Sequence, residues 1–458
     1  MNKKIILIFI FAFLIRLIAL NQSLWLDEAV TSNVVKNFNF LQIINKFSPT
    51  DFHPPLYYLF MKLWTNFFGY SEIVLRMPSV LFSLATGYVV YLIGGAWAAV
   101  FFLFNPLIVY YSQEARMYMM VTLLITLALY FFISNIKNKI SKIHIKNQIY
   151  FNLFIFLSLL TFYGSIFLVI AFLLYFLHKK QYKNLFISLF TLFIYFLIIS
   201  PLLYQQFLNS KIALTNVINW SLVLGKVNIK NLLLIPIKFS IGRISFYPKW
   251  LYWGIAGGWT GYMIYQISKI KDQNDKSKFK IINLLFYLFL FSLFLGFTVS
   301  FFIPMLQYFR FIYLIPIMAL LLSIGPSNKP KNNLGGYVLA GGFLIFSLIY
   351  LLNPQFHRED WKSLVSNLPK NKPVYMIIAS SDPVTYYLNS LKVSELTSLS
   401  VRQAQDERVN ELEKEIVVIP YTVEIYGYDY KKELKEKSYI LNKTTTFREL
   451  FFEEWRKP

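Results

Sequence analysis

The stretch LFISLFTLFIYFLIISPLLY at residues 185–204 contains no charged side chain and is apolar along almost its whole length. A helix of about 20 apolar residues is long enough to cross the hydrocarbon core of a bilayer. Pro201 lies close to the end of the stretch, where a kink does not interrupt the apolar centre. We therefore predict a membrane-spanning helix here.

Similar apolar segments recur along the chain. The N-terminal MNKKIILIFIFAFLIRLIALNQ (residues 1–22) starts with a basic pair, but no small-residue cleavage pattern follows it. We therefore interpret it as an uncleaved first span and not as a signal peptide. Further spans are predicted at residues 76–93, 96–111, 117–134, 149–163, 165–178, 185–204, 250–268, 281–303, 308–323 and 334–352. The fold class is thus an all-α polytopic membrane protein with about eleven transmembrane helices.

The composition agrees with this class. Hydrophobic residues make up 56% of the chain and charged residues 15%, whereas soluble proteins are roughly 25% charged. The net charge of +22 does not indicate a nucleic-acid partner, because the lysines cluster in short segments between apolar runs. The expected partner is the lipid bilayer. Cysteine is absent, which excludes disulfide and thiolate chemistry.

Lysines fall on alternate connections between the predicted spans. They are Lys3 and Lys4; Lys137, Lys139, Lys142 and Lys146; Lys179, Lys180 and Lys183; Lys269, Lys271, Lys276, Lys278 and Lys280; and Lys329 and Lys331. Cytoplasmic loops of membrane proteins carry this excess of cations. The N-terminus is therefore predicted to be cytoplasmic and the C-terminus extracytoplasmic.

This topology leaves three larger segments on the outer side, at residues 21–75, 205–249 and beyond 353. Residues 1–353 would form the membrane domain and residues 354–458 a small extracytoplasmic domain. In that tail, DWKSLVSNL (residues 360–368) has a helical pattern, and PVYMIIAS (373–380) and EIVVIPY (415–421) have strand patterns around a polar stretch at 402–415. An α/β fold is expected. No glycine-rich phosphate loop opens its helices.

The first outer loop begins with LWLDEAVTSNVV at residues 24–35, in which Asp27 and Glu28 follow the first span directly. Apolar residues follow at near-helical spacing, which predicts an interfacial helix. Adjacent helical side chains point about 100° apart, so the two carboxylates cannot readily share one role. One could be a base while the other binds a metal, a cation or hydroxyls; alternatively both only favour the helix N-terminus.

Other polar residues on this side need an explanation. In DFHPPLYY (residues 51–58), a rigid Pro54–Pro55 turn holds His53, either as a structural hydrogen-bonding group or as a ligand. In NPLIVYYSQEARMYMM (105–120), Glu114 and Arg116 would pair with each other or serve a site, since charges at that depth are costly. Arg243, Lys249 and Arg310 would be interfacial anchors or would bind an anionic substrate.

These motifs in order carry a family resemblance. The first span followed by LWLDEA, then FHPPLYY, RMPSVLFSLATGYVVY (76–91) and NPLIVYYSQEARMY resembles the C-type (GT-C) membrane glycosyltransferase superfamily. The branch it resembles contains the dolichyl-phosphate-mannose protein mannosyltransferases and the aminoarabinose transferases. Arg310 and HREDW (357–361) fit the pattern more weakly. The resemblance covers residues 1–135 best and the later spans only by topology.

The resemblance implies an inverting glycosyltransferase on the outer face of the cytoplasmic membrane. It would move a sugar from a polyprenyl-phosphate donor to a hydroxyl acceptor on a protein, a lipid or a surface glycan. Asp27 would be the catalytic base, with Glu28 as second candidate. His53, Glu114, Arg116, Arg243, Lys249 and Arg310 would bind substrate. Some relatives use a divalent metal, for which Glu28 and His53 are the candidate ligands here, an incomplete set by themselves.

Two other classes remain open from the sequence. A flippase for lipid-linked sugars or a polymer ligase would also handle polyprenyl carriers. A non-catalytic scaffold with a sensing tail would explain the topology but leave the loop residues without a role. A transporter would carry ionisable residues near the middle of several spans, and such residues are scarce here, which favours the enzyme.

Overall fold

The computed structural model describes residues 3–137, 141–268, 276–324, 333–388, 393–395 and 414–458. Lys139, Lys269, Lys271, Lys329 and Lys331, which support the predicted topology, lie outside these residues. The same holds for residues 402–413 of the polar stretch in the tail.

Every predicted span coincides with helical structure. The helices are Lys3–Leu17, Glu72–Leu103, Pro106–Tyr111, Tyr118–Lys137, Ser141–Thr161, Ile166–His178, Tyr182–Asn216, Lys249–Ser268, Lys276–Val299, Ile315–Leu322 and Leu334–Leu352. A 3-10 segment at Tyr308–Leu314 precedes the penultimate one. Within the described ranges, five helices are both long and apolar enough to cross a membrane by length and composition: Glu72–Leu103, Tyr118–Ile136, Tyr182–Asn216, Phe279–Val299 and Leu334–Leu352. The others are shorter or more polar, so the polytopic helical class is confirmed while the number of about eleven stays a prediction.

Glu72–Leu103 is two helices in space, because the chain reverses at Gly95. Gly95 has φ +78°, a conformation that glycine adopts without strain. A Cβ placed on Gly87 would lie 2.4 Å from the Leu103 side chain. In one straight helix these two residues would be about 24 Å apart. The first arm of the hairpin therefore contains the predicted span 76–93, and the predicted span 96–111 is divided between the second arm, which ends at Leu103, and the helix Pro106–Tyr111.

The first helix is attached to this hairpin by a buried cation. Arg16 donates hydrogen bonds to Ser83 Oγ (2.9 Å), to Leu103 O (2.7 Å) and to Ala12 O (2.8 Å). Ser83 lies on one arm of the hairpin and Leu103 on the other. The guanidinium thus holds three helical segments together without a carboxylate. A charge buried among apolar helices needs such hydrogen-bonding partners.

The first outer loop is helical, as predicted. It comprises Leu26–Asn37, Phe40–Gln42, a π-helical turn at Ile43–Phe47, and Leu56–Phe68 directly after Pro55. Large apolar side chains on its later helices are exposed, among them Leu41, Leu63 and Phe67. Apolar side chains on a short helix at this level suit the headgroup region of a bilayer. We therefore expect the helices of this loop to lie along the membrane surface.

The C-terminal segment forms a small α/β domain. Its strands are β1 (Val374–Met376), β2 (Val393–Glu395), β3 (Glu415–Val418), β4 (Ile440–Phe447) and β5 (Leu450–Arg456), in the order β2-β1-β3-β5-β4. β1 pairs in parallel with β2 and β3, and β5 pairs antiparallel with β3 and β4. Alternate residues of β3 enter different apolar clusters, Val417 with Trp361 and Ile416 with Trp455. Both faces of the sheet are thus covered.

This domain rests on the first outer loop. Leu24 N donates to the Tyr387 hydroxyl (2.9 Å), and Asn33 Nδ2 donates to Asp382 Oδ1 (2.8 Å). On its other side, Asn219 N donates to Ile425 O (3.0 Å). The three segments that the lysine pattern assigns to one side therefore meet at one end of the helical bundle. Which side of the membrane this end faces rests on the lysine distribution alone.

Candidate active site

Asp27 and Glu28 occupy different environments in the first turn of Leu26–Asn37. The Glu28 side chain is fully buried (0% exposed), whereas the Asp27 side chain is 37% exposed. The difference follows from helical geometry, because adjacent residues point about 100° apart. The Glu28 side chain points into the helical bundle, where it contacts Arg76 and Ala115. The Asp27 side chain lies beside Arg116 and is partly open to solvent. Of the two carboxylates, Asp27 is the one that substrate can reach.

Glu28 is fully engaged as a structural residue. Arg76 donates to both of its oxygens, through Nε to Oε1 (2.8 Å) and through Nη2 to Oε2 (2.5 Å). Ala115 N also donates to Oε1 (2.7 Å). Arg76 further binds the backbone oxygens of residues 20, 22 and 23. The structure therefore speaks against Glu28 as a second base or a metal ligand, because its lone pairs already serve a buried ion pair.

Arg116 links Asp27 to the rest of the site. Its Nη2 lies 3.3 Å from Asp27 Oδ2, and its Nη1 donates to the Tyr58 hydroxyl at 3.3 Å. Arg116 is nearly buried, whereas the carboxylate it holds is partly open. The arginine can thus orient Asp27, whose side chain remains 37% exposed. An accessible carboxylate held in this way suits a base that must accept a proton from a bound hydroxyl.

The SQEARMY segment positions several groups at once. Gln113 Nε2 donates to Arg16 O (2.9 Å) and Ile18 O (2.6 Å), which anchors the segment to the end of the first helix. Ala115 contacts Glu28 through its backbone, and Arg116 contacts Asp27. Successive residues therefore point to different partners. This explains why a short polar motif lies between two apolar helices.

Glu114 pairs with Arg358, a residue that was not among the predicted site residues. Arg358 donates to Glu114 Oε1 through Nε (3.1 Å) and Nη2 (3.0 Å), and its guanidinium lies 3.7 Å from the centre of the Trp25 ring. The alternative of a Glu114–Arg116 ion pair is therefore not what the structure shows. Arg358 belongs to the HREDW motif after the last span. The motif indicated that this part of the chain carries polar residues of interest. It did not indicate the pairing, because 244 positions separate Arg358 from Glu114.

Asp51 is a second residue that the sequence analysis missed. His53 Nδ1 lies 3.1 Å from Asp51 Oδ1, and both precede the Pro54–Pro55 turn. Burial favours the neutral acid. The charge and hydrogen bond of His53, together with Arg116 and Tyr58, nevertheless outweigh burial and lower the pKa of Asp51. Asp51 therefore stays ionised at neutral pH and adds negative charge behind Arg116. His53 is thus a hydrogen-bonding group in this structure, and its other predicted role, as a ligand, stays a prediction.

The remaining candidate cations lie along a row of aromatic rings. Arg243 Nη1 donates to the Tyr110 hydroxyl (2.6 Å), and Arg310 lies 5.9 Å from the Phe309 ring centre. Neighbouring rings along this row are 4.9 to 5.8 Å apart: Tyr110–Tyr111, Tyr111–Tyr118 and Tyr118–Phe309. Within the described ranges, neither arginine has a carboxylate within ion-pair distance. Both charges are therefore available to an anion.

Lys249 lies at the edge of this group. It is exposed, donates to Ser245 Oγ (3.0 Å) and stacks over the Tyr247 ring at 4.4 Å. These contacts are typical of a residue at a membrane interface. Lys249 is thus a weaker candidate for substrate binding than Arg243 or Arg310.

The predicted metal site does not fit the geometry. In the part of the chain that the structure describes, no group of three or more His, Cys, Asp and Glu side chains is placed to hold an ion. Glu28 is occupied by Arg76, and His53 is paired with Asp51. A metal site normally needs more ligands than one free histidine nitrogen. The mechanism below therefore uses no metal.

Comparisons with known proteins agree with this architecture at the level of the fold. No protein-family model matches the sequence, and no curated protein sequence matches it either. The fold is a helical bundle with helices in the first outer loop and an α/β domain after the last span. The structure is similar to ArnT from Cupriavidus metallidurans bound to undecaprenyl phosphate, with a TM-score of 0.60 and 12% sequence identity over 98% of this chain and 97% of that one. The apo state of the same ArnT gives 0.58 and 10% with the same coverage.

These similarities confirm the predicted fold, a polytopic helical membrane protein with a small C-terminal domain, which the chain shares with the ArnT structures. At 10–12% identity they establish the fold and leave the chemistry to be argued from the residues.

Proposed function

We propose that the protein is an inverting glycosyltransferase that uses a polyprenyl-phosphate-linked sugar and a hydroxyl acceptor at the outer face of the cytoplasmic membrane. The observation that carries this proposal is the half-exposed Asp27 held by Arg116 at the same end of the bundle as Arg243 and Arg310. The lipid bound to the similar ArnT structure, undecaprenyl phosphate, supports a polyprenyl-phosphate donor. The lysine pattern supports a cytoplasmic N-terminus and a division into residues 1–353 and 354–458.

The reaction follows from these roles. Asp27 accepts the proton of the acceptor hydroxyl as its oxygen bonds to the anomeric carbon. The bond between that carbon and the phosphate oxygen breaks on the opposite face, which inverts the configuration. The departing polyprenyl phosphate carries the electron pair and the added negative charge. Arg243 and Arg310, which lack carboxylate partners among the described residues, stabilise that charge.

A flippase and a polymer ligase, the two alternative functions, differ from the transferase in what they require of Asp27 and the arginines. A flippase moves the lipid-linked sugar without breaking a bond, so it requires cations for the phosphate but no base. A polymer ligase also breaks the bond to a polyprenyl carrier and differs only in the length of the transferred chain. The accessible, arginine-held Asp27 is better explained by a bond-breaking enzyme.

Removal of the protein from its cells tests the proposed function directly. We expect a polyprenyl-phosphate sugar to accumulate in the lipid extract and one glycoconjugate to lose that sugar. Mass spectrometry of membrane lipids and surface glycans provides both measurements. Unchanged lipids and glycans would refute the transferase. Accumulation of a lipid-linked oligosaccharide would point to the ligase instead.

Loss of a phosphate-binding arginine is expected to weaken donor binding. Arg243→Ala and Arg310→Ala each remove a charge-assisted hydrogen bond worth about 1.5–3 kcal/mol, which corresponds to roughly a tenfold to hundredfold loss of affinity. Binding of undecaprenyl phosphate to the purified full-length protein measures this loss. Lys226→Ala, at an exposed position of the same outer segment, is the matched control. Equal affinity in all three variants would contradict the assignment.

A further inference from the structure

The C-terminal domain contains a cavity that the proposed mechanism does not use. Its volume is about 640 Å³, and it is open to solvent. Small-molecule sites commonly measure roughly 300–1,000 Å³. Its wall includes Tyr421, Thr422, Tyr428, Asp429, Glu449 and Phe451. The cavity lies beside the outer segment 205–249, since Asn219 of that segment donates to Glu424 O and Ile425 O.

The wall combines ring faces with carboxylates. Tyr421, Tyr428 and Phe451 supply apolar surfaces, and Glu424, Asp429 and Glu449 supply hydrogen-bond acceptors. The lysine in the wall, Lys431, is paired with Glu453 at 3.0 Å. The cavity is therefore negatively charged on balance and disfavours a phosphate-bearing ligand. A sugar ring matches it, with C–H faces for the rings and hydroxyl donors for the carboxylates.

Tyr421 connects this cavity to the HREDW motif, whose Arg358 contacts Glu114 and the Trp25 ring close to Asp27. Its hydroxyl donates to Glu359 Oε1 (3.2 Å). Burial, with the nearby charges of Glu359 and Asp27, raises the pKa of Tyr421, so it remains a protonated donor. Glu359 follows Arg358, the partner of Glu114. The second oxygen of Glu359 is buried and has no hydrogen-bond partner among the described residues.

The backbone beside Tyr421 is strained. Thr422 has φ +67°, a left-handed conformation that is rare for a β-branched residue. Its Oγ1 lies 2.7 Å from Ser380 Oγ, which holds the conformation. Glu449, on the wall of the same cavity, also has a positive φ of +58°. Backbone strain of this kind is commonly found at ligand-binding sites, where the surrounding structure holds a residue in one orientation.

We propose that this cavity is the acceptor site and that the acceptor is a neutral or amine-bearing carbohydrate chain. The chain lies against Tyr428 and Phe451, and Tyr421 with Glu359 directs its terminal hydroxyl towards Asp27. The inference rests on the proposed glycosyl transfer and adds the class of its acceptor. It also gives the C-terminal domain a binding role in place of a purely structural one.

The test uses cells that lack the protein and carry one variant of the full chain. Tyr421→Phe removes the hydroxyl, and Phe451→Ala removes a half-exposed ring of the wall. Leu441→Ala, on β4 outside the cavity, is the matched control because Leu441 is exposed to a similar degree. Three quantities are measured: the polyprenyl-linked sugar, the sugar content of the carbohydrate, protein and anionic-lipid fractions, and the affinity of each purified protein for undecaprenyl phosphate.

We expect both cavity variants to lower the sugar content of a carbohydrate fraction by about threefold to tenfold, the range expected for loss of one ring or hydrogen-bond contact. Donor should accumulate while the affinity for undecaprenyl phosphate is unchanged. Leu441→Ala should match the unmodified protein. Normal sugar incorporation in both cavity variants, or loss of sugar from the protein or anionic-lipid fraction, would overturn the proposal. If Asp27→Asn also leaves products and donor unchanged, the proposed transferase fails as well.

Discussion

Asp27→Asn is expected to reduce sugar transfer by about 10²–10⁴-fold, the usual contribution of a general base. Asparagine has nearly the same shape but cannot take the hydroxyl proton. The partly exposed position of Asp27 means that folding should not depend on its charge. Transfer is measured as product formed by the full-length protein in membranes, alongside its melting temperature and its binding of undecaprenyl phosphate.

Glu436→Gln is the control for this substitution, because it removes a carboxylate at an exposed position of the C-terminal domain. Turnover of Asp27→Asn close to that of the unmodified protein would exclude Asp27 as the base. A parallel loss of melting temperature would show that the Arg116 contact is structural.

Replacing Arg76 alone is expected to cause the largest loss of stability. Arg76→Leu leaves the fully buried Glu28 carboxylate without its counter-ion, which typically costs about 3–5 kcal/mol. It also leaves the backbone oxygens of residues 20, 22 and 23 without their donor. Thermal unfolding in detergent and the yield of monodisperse protein measure the effect.

The double variant Glu28→Leu with Arg76→Leu provides the sharper comparison. Removing both charges avoids an unpaired buried ion, so the double variant should be more stable than Arg76→Leu alone. If the two variants have the same melting temperature, burial of Glu28 without Arg76 has no cost in stability. The ion pair would then not be what holds the first outer loop in place. Sugar transfer lost without loss of stability in Glu28→Gln would return Glu28 to the list of candidate catalytic residues.

The sequence predicted what depends on local pattern. The apolar runs located the helices, and the boundary predicted between residues 93 and 96 coincides with the reversal at Gly95, although only Gly94 and Gly95 lie between the two predicted spans. The Pro54–Pro55 turn and the helix after it also followed from local rules. In the tail, DWKSLVSNL and EIVVIPY contain the helix Trp361–Ser366 and β3, and PVYMIIAS contains β1 but ends in the 3-10 turn Ile378–Ser380.

Pairings between distant residues could not be predicted in the same way. Arg76 stood within a quoted motif, yet nothing local shows that it binds Glu28, 48 positions earlier. Arg358 and Glu114 belong to separate motifs, and only the packed structure joins them. Asp51 was overlooked because its role depends on burial beside His53 and Arg116. Spacing places charges on a side of the membrane, but their partners follow from tertiary contacts.

The Glu114–Arg358 pair also bears on how the protein is made. Glu114 lies in an early part of the chain, and its partner is synthesised only after the last membrane helix. Until then, Glu114 lacks its cation and Trp25 lacks the guanidinium that covers its ring. Arg358 also needs β4 and β5, since Arg448, in the turn between them, donates to its carbonyl oxygen at 2.7 Å. A chain halted before its C-terminal domain would therefore insert its helices without assembling a complete site, and activity would begin only after that domain has been synthesised and has folded.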